Sequence, residues 1–203
     1  MPLDKEANYT CDTDRVETDT DNLYDGHDST GMAFSIALAK QADLEQIVTI
    51  YNQSILTKKS TADLIEVTVA DRQPWFEMHL QRPIRPIYVL KNDSGTVMAW
   101  GCFSDFKSRP AYDISAEISI YVHQQYHRRG LASLFLQWML TQAPQLGIRN
   151  ILALIFSHNQ PSLALFSKFG FETWGTMPQV CDMQTFVADV VMLGKSVVPA
   201  NNS

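Results

Sequence analysis

The chain has 203 residues, 45% of them hydrophobic and 19% charged, with a formal net charge of -6. That is the composition of a globular domain with a sizeable core. It contains no apolar run near the ~20 residues of a membrane span, no signal-peptide pattern of basic and then apolar residues, and no basic stripe interleaved with aromatics of the kind that holds nucleic acid.

Three cysteines, Cys11, Cys102 and Cys181, are odd in number and widely spaced. They suggest neither a disulfide framework nor a zinc site, so reduced thiols, no metal and a cytoplasmic setting are expected. The charge is unevenly spread. Residues 1–31 hold nine acidic and two basic residues, a net −7, which leaves 14 basic against 13 acidic residues in the rest. This stretch is rich in Asp, Thr and Asn and poor in large aliphatics, so it is expected to be a disordered or loosely attached leader. Residues 32–197 are expected to form one domain, and 198–203 a flexible tail.

Residues 34–38 alternate like a short strand. Residues 42–56 carry Leu44, Ile47, Val48, Ile50, Tyr51 and Ile55 near helical spacing. Residues 68–81 read as a second helix, ended by Pro83 and Pro86. Residues 87–91 and 96–103 read as strands joined by the turn Asn92-Asp93-Ser94-Gly95. A loop follows over 106–113. Residues 116–122 alternate strictly, placing Glu117, Ser119 and Tyr121 on one face and Ile118, Ile120 and Val122 on the other.

The turn His127-Arg128-Arg129-Gly130 then opens an apolar helix over about 130–143. A strand that ends in such a turn aims several backbone N–H groups at one spot, which suits a pyrophosphate. Gly130 permits close approach of an anion because it has no Cβ. The same pattern also fits an ordinary strand-to-helix connection. Gly147 ends the helix, 150–155 is an apolar strand, and a short helix follows Asn159 until Gly170. Residues 171–176 and 186–193 read as two closing strands.

Several ordered segments together resemble the GNAT superfamily of acetyl-CoA-dependent N-acetyltransferases, over about residues 34–197. Ile50-Tyr51-Asn52, Asp71-Arg72 followed by Trp75-Phe76, the run Phe106 through Tyr112, Ala116 through Val122, and Gly170-Phe171-Glu172-Thr173-Trp174-Gly175 are similar to the phosphinothricin acetyltransferase branch. The resemblance implies an α/β fold: a mixed, mostly antiparallel sheet flanked by helices and splayed between two parallel strands. The family's phosphate motif, Gln/Arg-x-x-Gly-x-Gly/Ala, falls on His127 through Ala132, with His127 a departure at its first position.

By resemblance, Arg128, Arg129, Gly130, Leu131, Ala132 and Ser133 cradle the pyrophosphate of acetyl-CoA. Ile120, Tyr121 and Val122 pair with its pantetheine arm, and Asn159 also binds that arm. Glu117 is the expected general base, since an amine must lose a proton before it attacks a thioester; a salt-bridged or solvent-facing carboxylate is the alternative. Lys107, Ser108, Arg109 and Tyr112 are expected to hold the substrate's anionic group, against the alternative of a solvated basic loop.

Phe166 occupies a position where many relatives carry Tyr, and cannot donate a proton; core packing is its expected role. His79 and His158 are read as surface or helix-face residues, and His123 as a contributor near the cofactor mouth. The four tryptophans, Trp75, Trp100, Trp138 and Trp174, are read as core or interface.

The expected activity is N-acetylation of the primary amine of a small amino acid or analogue, of the phosphinothricin or methionine sulfoximine type. Attack would be direct, in a ternary complex, because none of the three cysteines is expected at the acetyl site. The resemblance also implies a homodimer. A protein N-terminal or lysine acetyltransferase, and a non-catalytic acetyl-CoA-binding module, are the alternatives.

Overall fold

A computed structural model describes residues 23–197. Eight strands form one sheet in the order β1-β2-β3-β4-β5-β6-β8-β7. They are β1 (Tyr24–His27), β2 (Ala33–Leu38), β3 (Ile87–Asn92), β4 (Val97–Asp105), β5 (Ser115–Val122), β6 (Asn150–Phe156), β7 (Glu172–Asp182) and β8 (Val187–Ser196). Four helices, α1 (Leu44–Thr57), α2 (Val69–Leu80), α3 (Leu131–Gln142) and α4 (Gln160–Lys168), join them. Every strand pair is antiparallel except β5 with β6. The mixed, mostly antiparallel α/β fold expected from the sequence is the one observed. Among the described residues no helix is long and apolar enough to cross a membrane.

The sheet has a core on each face, because its central strands alternate between them. Ile87 and Val89 of β3 and Val97, Trp100 and Cys102 of β4 pack with Leu44, Ile47 and Ile50 of α1 and Phe76 of α2. Tyr88, Leu90, Met98, Phe103 and Ile118 face the other way, against Leu131, Phe135 and Met139 of α3 and Phe166 of α4. Phe166 is buried edge-on against Phe171, in the packing role expected of it.

The parallel pair is short. Ser115, Ala116 and Glu117 pair with Asn150, Ile151 and Leu152, and the register ends there. Beyond Glu117, β5 keeps its partner β4 as far as Val122. β6 keeps its partner β8. A wedge therefore opens between β5 and β6, as the splay predicted between the parallel strands requires.

The chain differs from expectation at both ends of the sheet. Residues 24–27, inside the segment expected to be a loose leader, form strand β1. The Tyr24 ring packs against Phe34 of β2, 6.1 Å between centroids, so this part of the acidic segment finds an apolar contact of its own. Residues 1–22 and the tail 198–203 lie outside the described residues. The closing strand expected over 171–176 continues to Asp182. Its register shifts twice against β8, between Thr173 and Gly175 and between Met177 and Cys181, which interrupts the alternation by which a strand is read from sequence.

Candidate active site

The wedge holds two connected cavities. One, of about 450 Å³, lies on the face of β4 and β5 that carries α1 and α2. Register builds its floor: Trp100 pairs with Tyr121, Cys102 with Ser119, and Ser104 with Glu117. Because side chains alternate, all six share one face. The rings of Trp100 and Tyr121 stack with centroids 4.6 Å apart. Met177 and Cys181 of β7 and Val190 of β8 contribute to the lining opposite.

Glu117 lines this cavity, and among the described residues no hydrogen bond or ion pair holds its carboxylate. Loss of solvent pushes its pKa above the usual carboxylate value. An unpaired, partly desolvated carboxylate in a cavity is equipped to take up a proton.

Arg72 lines the same cavity and was absent from the site residues expected from sequence. Its position follows from local capping. Thr68 precedes α2 and accepts a hydrogen bond from Asp71 N–H at 3.1 Å. Asp71 Oδ2 accepts in return from Thr68 N–H at 2.8 Å. This box places Arg72 in the first turn, where its guanidinium lies 4.2 Å from the Tyr51 ring centroid and 4.4 Å from that of Trp75. The Tyr51 hydroxyl is fixed in turn, donating to Asp63 at 2.6 Å and lying 2.7 Å from Thr61 Oγ1. Among the described residues no carboxylate pairs with Arg72. The pocket therefore presents the Arg72 guanidinium and the Glu117 carboxylate, neither in an ion pair among the described residues, with Lys59 also in its lining.

The second cavity, about 760 Å³, runs along β5 to the start of α3. Ile120, Tyr121, Val122, Arg128, Gly130, Leu131, Ala132 and Ser133 all line it. Gly130 is the residue before α3 and has φ +77°, a left-handed conformation in which a Cβ is strained; Arg128 has φ +64°. The first-turn N–H groups of Leu131, Ala132 and Ser133 have no acceptor within the helix, so the turn offers donors and positive potential to an anion. Tyr121 and Ser60 line both cavities and join them. The open edge of β5 suits an extended chain with amide groups, such as a pantetheine arm, and the start of α3 suits its pyrophosphate.

Several expected residues lie elsewhere. Arg129 does not line the cleft; its guanidinium turns toward Asp28, 3.8 Å away, and the ring of Tyr126. Asn159 is buried and its amide is used inside the protein. It donates to the Lys59 carbonyl at 3.0 Å and accepts from Ser162 N–H at 3.3 Å, which anchors the 59–60 loop on α4. Its cavity is the smaller one. His123 Nδ1 accepts from Gln125 N–H at 3.2 Å, and His127 Nε2 donates to the Val122 carbonyl at 2.9 Å, tying the turn back to β5.

Lys107, Ser108, Arg109 and Tyr112 are exposed and line neither of these two cavities. Their loop is clamped at its base, where Arg85 donates to Asp105 Oδ1 at 2.8 Å and to the Asp113 carbonyl at 2.8 Å.

Three readings need correction. His79 is buried, not superficial: its Nδ1 lies 2.6 Å from the Arg85 carbonyl and its ring packs edge-on against Trp75. Burial lowers its pKa. Trp75 and Trp100 are cavity walls as well as core. Cys102 and Cys181 both line the smaller cavity, brought there by β4 and β7, so the ground for excluding a cysteine from the acetyl site does not hold. Chemistry weighs against Cys102 as a nucleophile all the same, because burial pushes its pKa up to about 12 and keeps it a neutral thiol.

Residues 45–171 match the Acetyltransferase (GNAT) family. The chain is 43% identical over 163 residues to YwnH of Bacillus subtilis, provisionally named a phosphinothricin acetyltransferase, covering 80% of this chain and 99% of that one. It is 32% identical over 149 residues to an L-methionine sulfoximine/L-methionine sulfone acetyltransferase of Pseudomonas paraeruginosa, covering 73% and 86%. A Salmonella typhimurium protein provisionally named an acetyltransferase, solved with its cofactor acetyl-CoA, superposes with a TM-score of 0.76 at 26% identity, over 83% of this chain and 96% of that one. The chain belongs to the GNAT family, is an acetyl-CoA-dependent N-acetyltransferase and falls in its phosphinothricin acetyltransferase branch.

Burial of Glu117 gives a stability prediction. Its raised pKa means that the folded state holds its proton more tightly than the unfolded one, so ionisation costs stability as pH rises from about 4.5 through the folded-state value. Glu117→Gln is expected to unfold at a higher temperature than the parent at pH 7, roughly 2–4 °C for each kcal/mol relieved. The difference should vanish below pH 4.5. Melting curves across that range read it, and a lower midpoint at pH 7 would contradict it.

Proposed function

We propose that this chain acetylates the primary amine of a small amino acid or analogue, of the phosphinothricin or methionine sulfoximine type, by direct attack in a ternary complex. The observation that carries the reading is the pairing of a free carboxylate, Glu117, with a free cation, Arg72, in one cavity that opens onto the β5 edge. An amino-acid substrate has an ammonium and an anionic group to match. Arg72, held between two rings, grips the anionic group, and the ring walls exclude water from the rest.

Acetyl-CoA supplies the acetyl group as a thioester. Glu117 accepts the proton that the substrate ammonium must lose, directly or through one water, which leaves the amine lone pair free to attack. Backbone N–H groups on the open edge of β5 are the available donors for the carbonyl under attack. Phe166 donates no proton, and a thiolate with a pKa of about 8.5 leaves without one.

Lys107, Ser108, Arg109 and Tyr112 do not line this chain's pocket, so a substrate role for them requires a second copy. The reading includes a homodimer through β7, an edge strand that exposes Trp174, Met177 and Val180. Sedimentation at twice the chain mass would support the dimer, and sedimentation at the chain mass would remove it.

The direct test is CoA-thiol release across phosphinothricin, methionine sulfoximine, common amino acids and short peptides. Turnover is expected on the amino-acid analogues, falling roughly 10²- to 10⁴-fold in Glu117→Gln and persisting in Cys102→Ala. Turnover on peptides alone would move the function to protein acetylation. Loss of activity in Cys102→Ala, with acetylated protein trapped in the parent, would replace direct attack by an acyl-enzyme.

A further inference from the structure

The β1–β2 hairpin lies N-terminal to the family match, which begins at residue 45. Its turn nevertheless touches the phosphate turn at one residue, Arg129. Ser29 Oγ donates to the Arg129 carbonyl at 2.9 Å, and Ser29 N–H to the same oxygen at 3.4 Å. Asp28, whose side chain is fully shielded from solvent, faces the Arg129 guanidinium at 3.8 Å. One Asp28 oxygen is already occupied, accepting from Thr30 N–H, Thr30 Oγ1 and Met32 N–H at 2.7–3.0 Å. The other, Oδ2, has no hydrogen-bond donor among the described residues, so Arg129 supplies its compensating charge.

The Arg129 carbonyl and the Gly130 N–H belong to one planar trans peptide and point in opposite directions. Ser29 lies outside the cleft, and Gly130 lines it. With the carbonyl held on the hairpin side, the Gly130 N–H is directed toward the cleft. Glycine and its neighbours in a turn can flip such a peptide plane at little cost. Something must therefore select the orientation.

We infer that Ser29 and Asp28 are positioning residues for acetyl-CoA: they lock the 129–130 peptide so that the Gly130 N–H faces the pyrophosphate. The inference rests on the acetyltransferase reading and concerns only the anionic end of the donor. Without Ser29 the peptide samples both orientations, and a carbonyl oxygen faces the pyrophosphate part of the time.

The test compares two acetyl donors on the full chain, acetyl-CoA and S-acetylpantetheine, which lacks the pyrophosphate. Ser29→Ala is expected to raise the KM for acetyl-CoA roughly five- to thirtyfold, the loss of about one charge-assisted hydrogen bond. The kcat, the KM for the amine and all constants with S-acetylpantetheine should stay unchanged. Ser29→Thr keeps the hydroxyl and should restore the parent KM, and Asp28→Asn should shift it in the same direction as Ser29→Ala. An unchanged KM for acetyl-CoA in both Ser29→Ala and Asp28→Asn would overturn the inference. Equal losses with both donors would also overturn it, since they would mark general damage. A parent chain that binds no CoA would overturn the acetyltransferase reading, a result distinct from either.

Discussion

The parallel pairing of β5 and β6 stops at Glu117 and Leu152, and the site depends on that stop. A strand in the middle of a sheet normally spends its N–H and C=O groups on both neighbours. From Ile118 to Val122, β5 spends them only on β4. The free edge therefore runs through the interior, not along the rim, where it would invite another chain. One continuous stretch then carries the three features the proposal uses: a carboxylate at 117, an open edge over 120–122, and a turn into α3 whose residues 128 and 130–133 line the larger cavity.

The smaller cavity has polar groups in its floor, on strands whose neighbouring residues build the apolar core. Ser104, Glu117 and Ser119 share a face with Trp100, Cys102 and Tyr121 because register and alternation require it. Burying polar groups there is costly unless a ligand completes them. The surrounding order is supplied from outside the sheet: the Thr68–Asp71 box sets Arg72, and Asn159 anchors the 59–60 loop. These supports lie on helices and loops distant in sequence from Glu117.

That distribution explains what could be read from the sequence. The alternation of 116–122, the glycine at 130 and the apolar helix after it are local patterns, and each lies where it was expected. Glu117 stands out because a carboxylate on a central strand is costly to bury without a partner or a use. Arg72 lies in the Asp71-Arg72 segment that carries the resemblance, but nothing local gives it a role; the capping box and the fold of α2 over β4 bring it into the cavity that Glu117 lines. The pairing of Trp100 with Tyr121, and of Cys102 with Ser119, is a matter of register between strands, which no single segment encodes. Arg128 and Arg129 look equivalent as a pair. One lines the cleft and the other turns to Asp28, because successive residues in this turn face opposite sides.

The central claim is that the open edge of β5 and the turn after it form one acetyl-CoA site. Amide hydrogen exchange with and without CoA measures this directly, peptide by peptide. Slowed exchange is expected in 119–122 and 128–133 on addition of CoA, with β1, β3 and β7 unchanged. Unchanged exchange in both segments, or protection confined to another face of the sheet, would contradict the account.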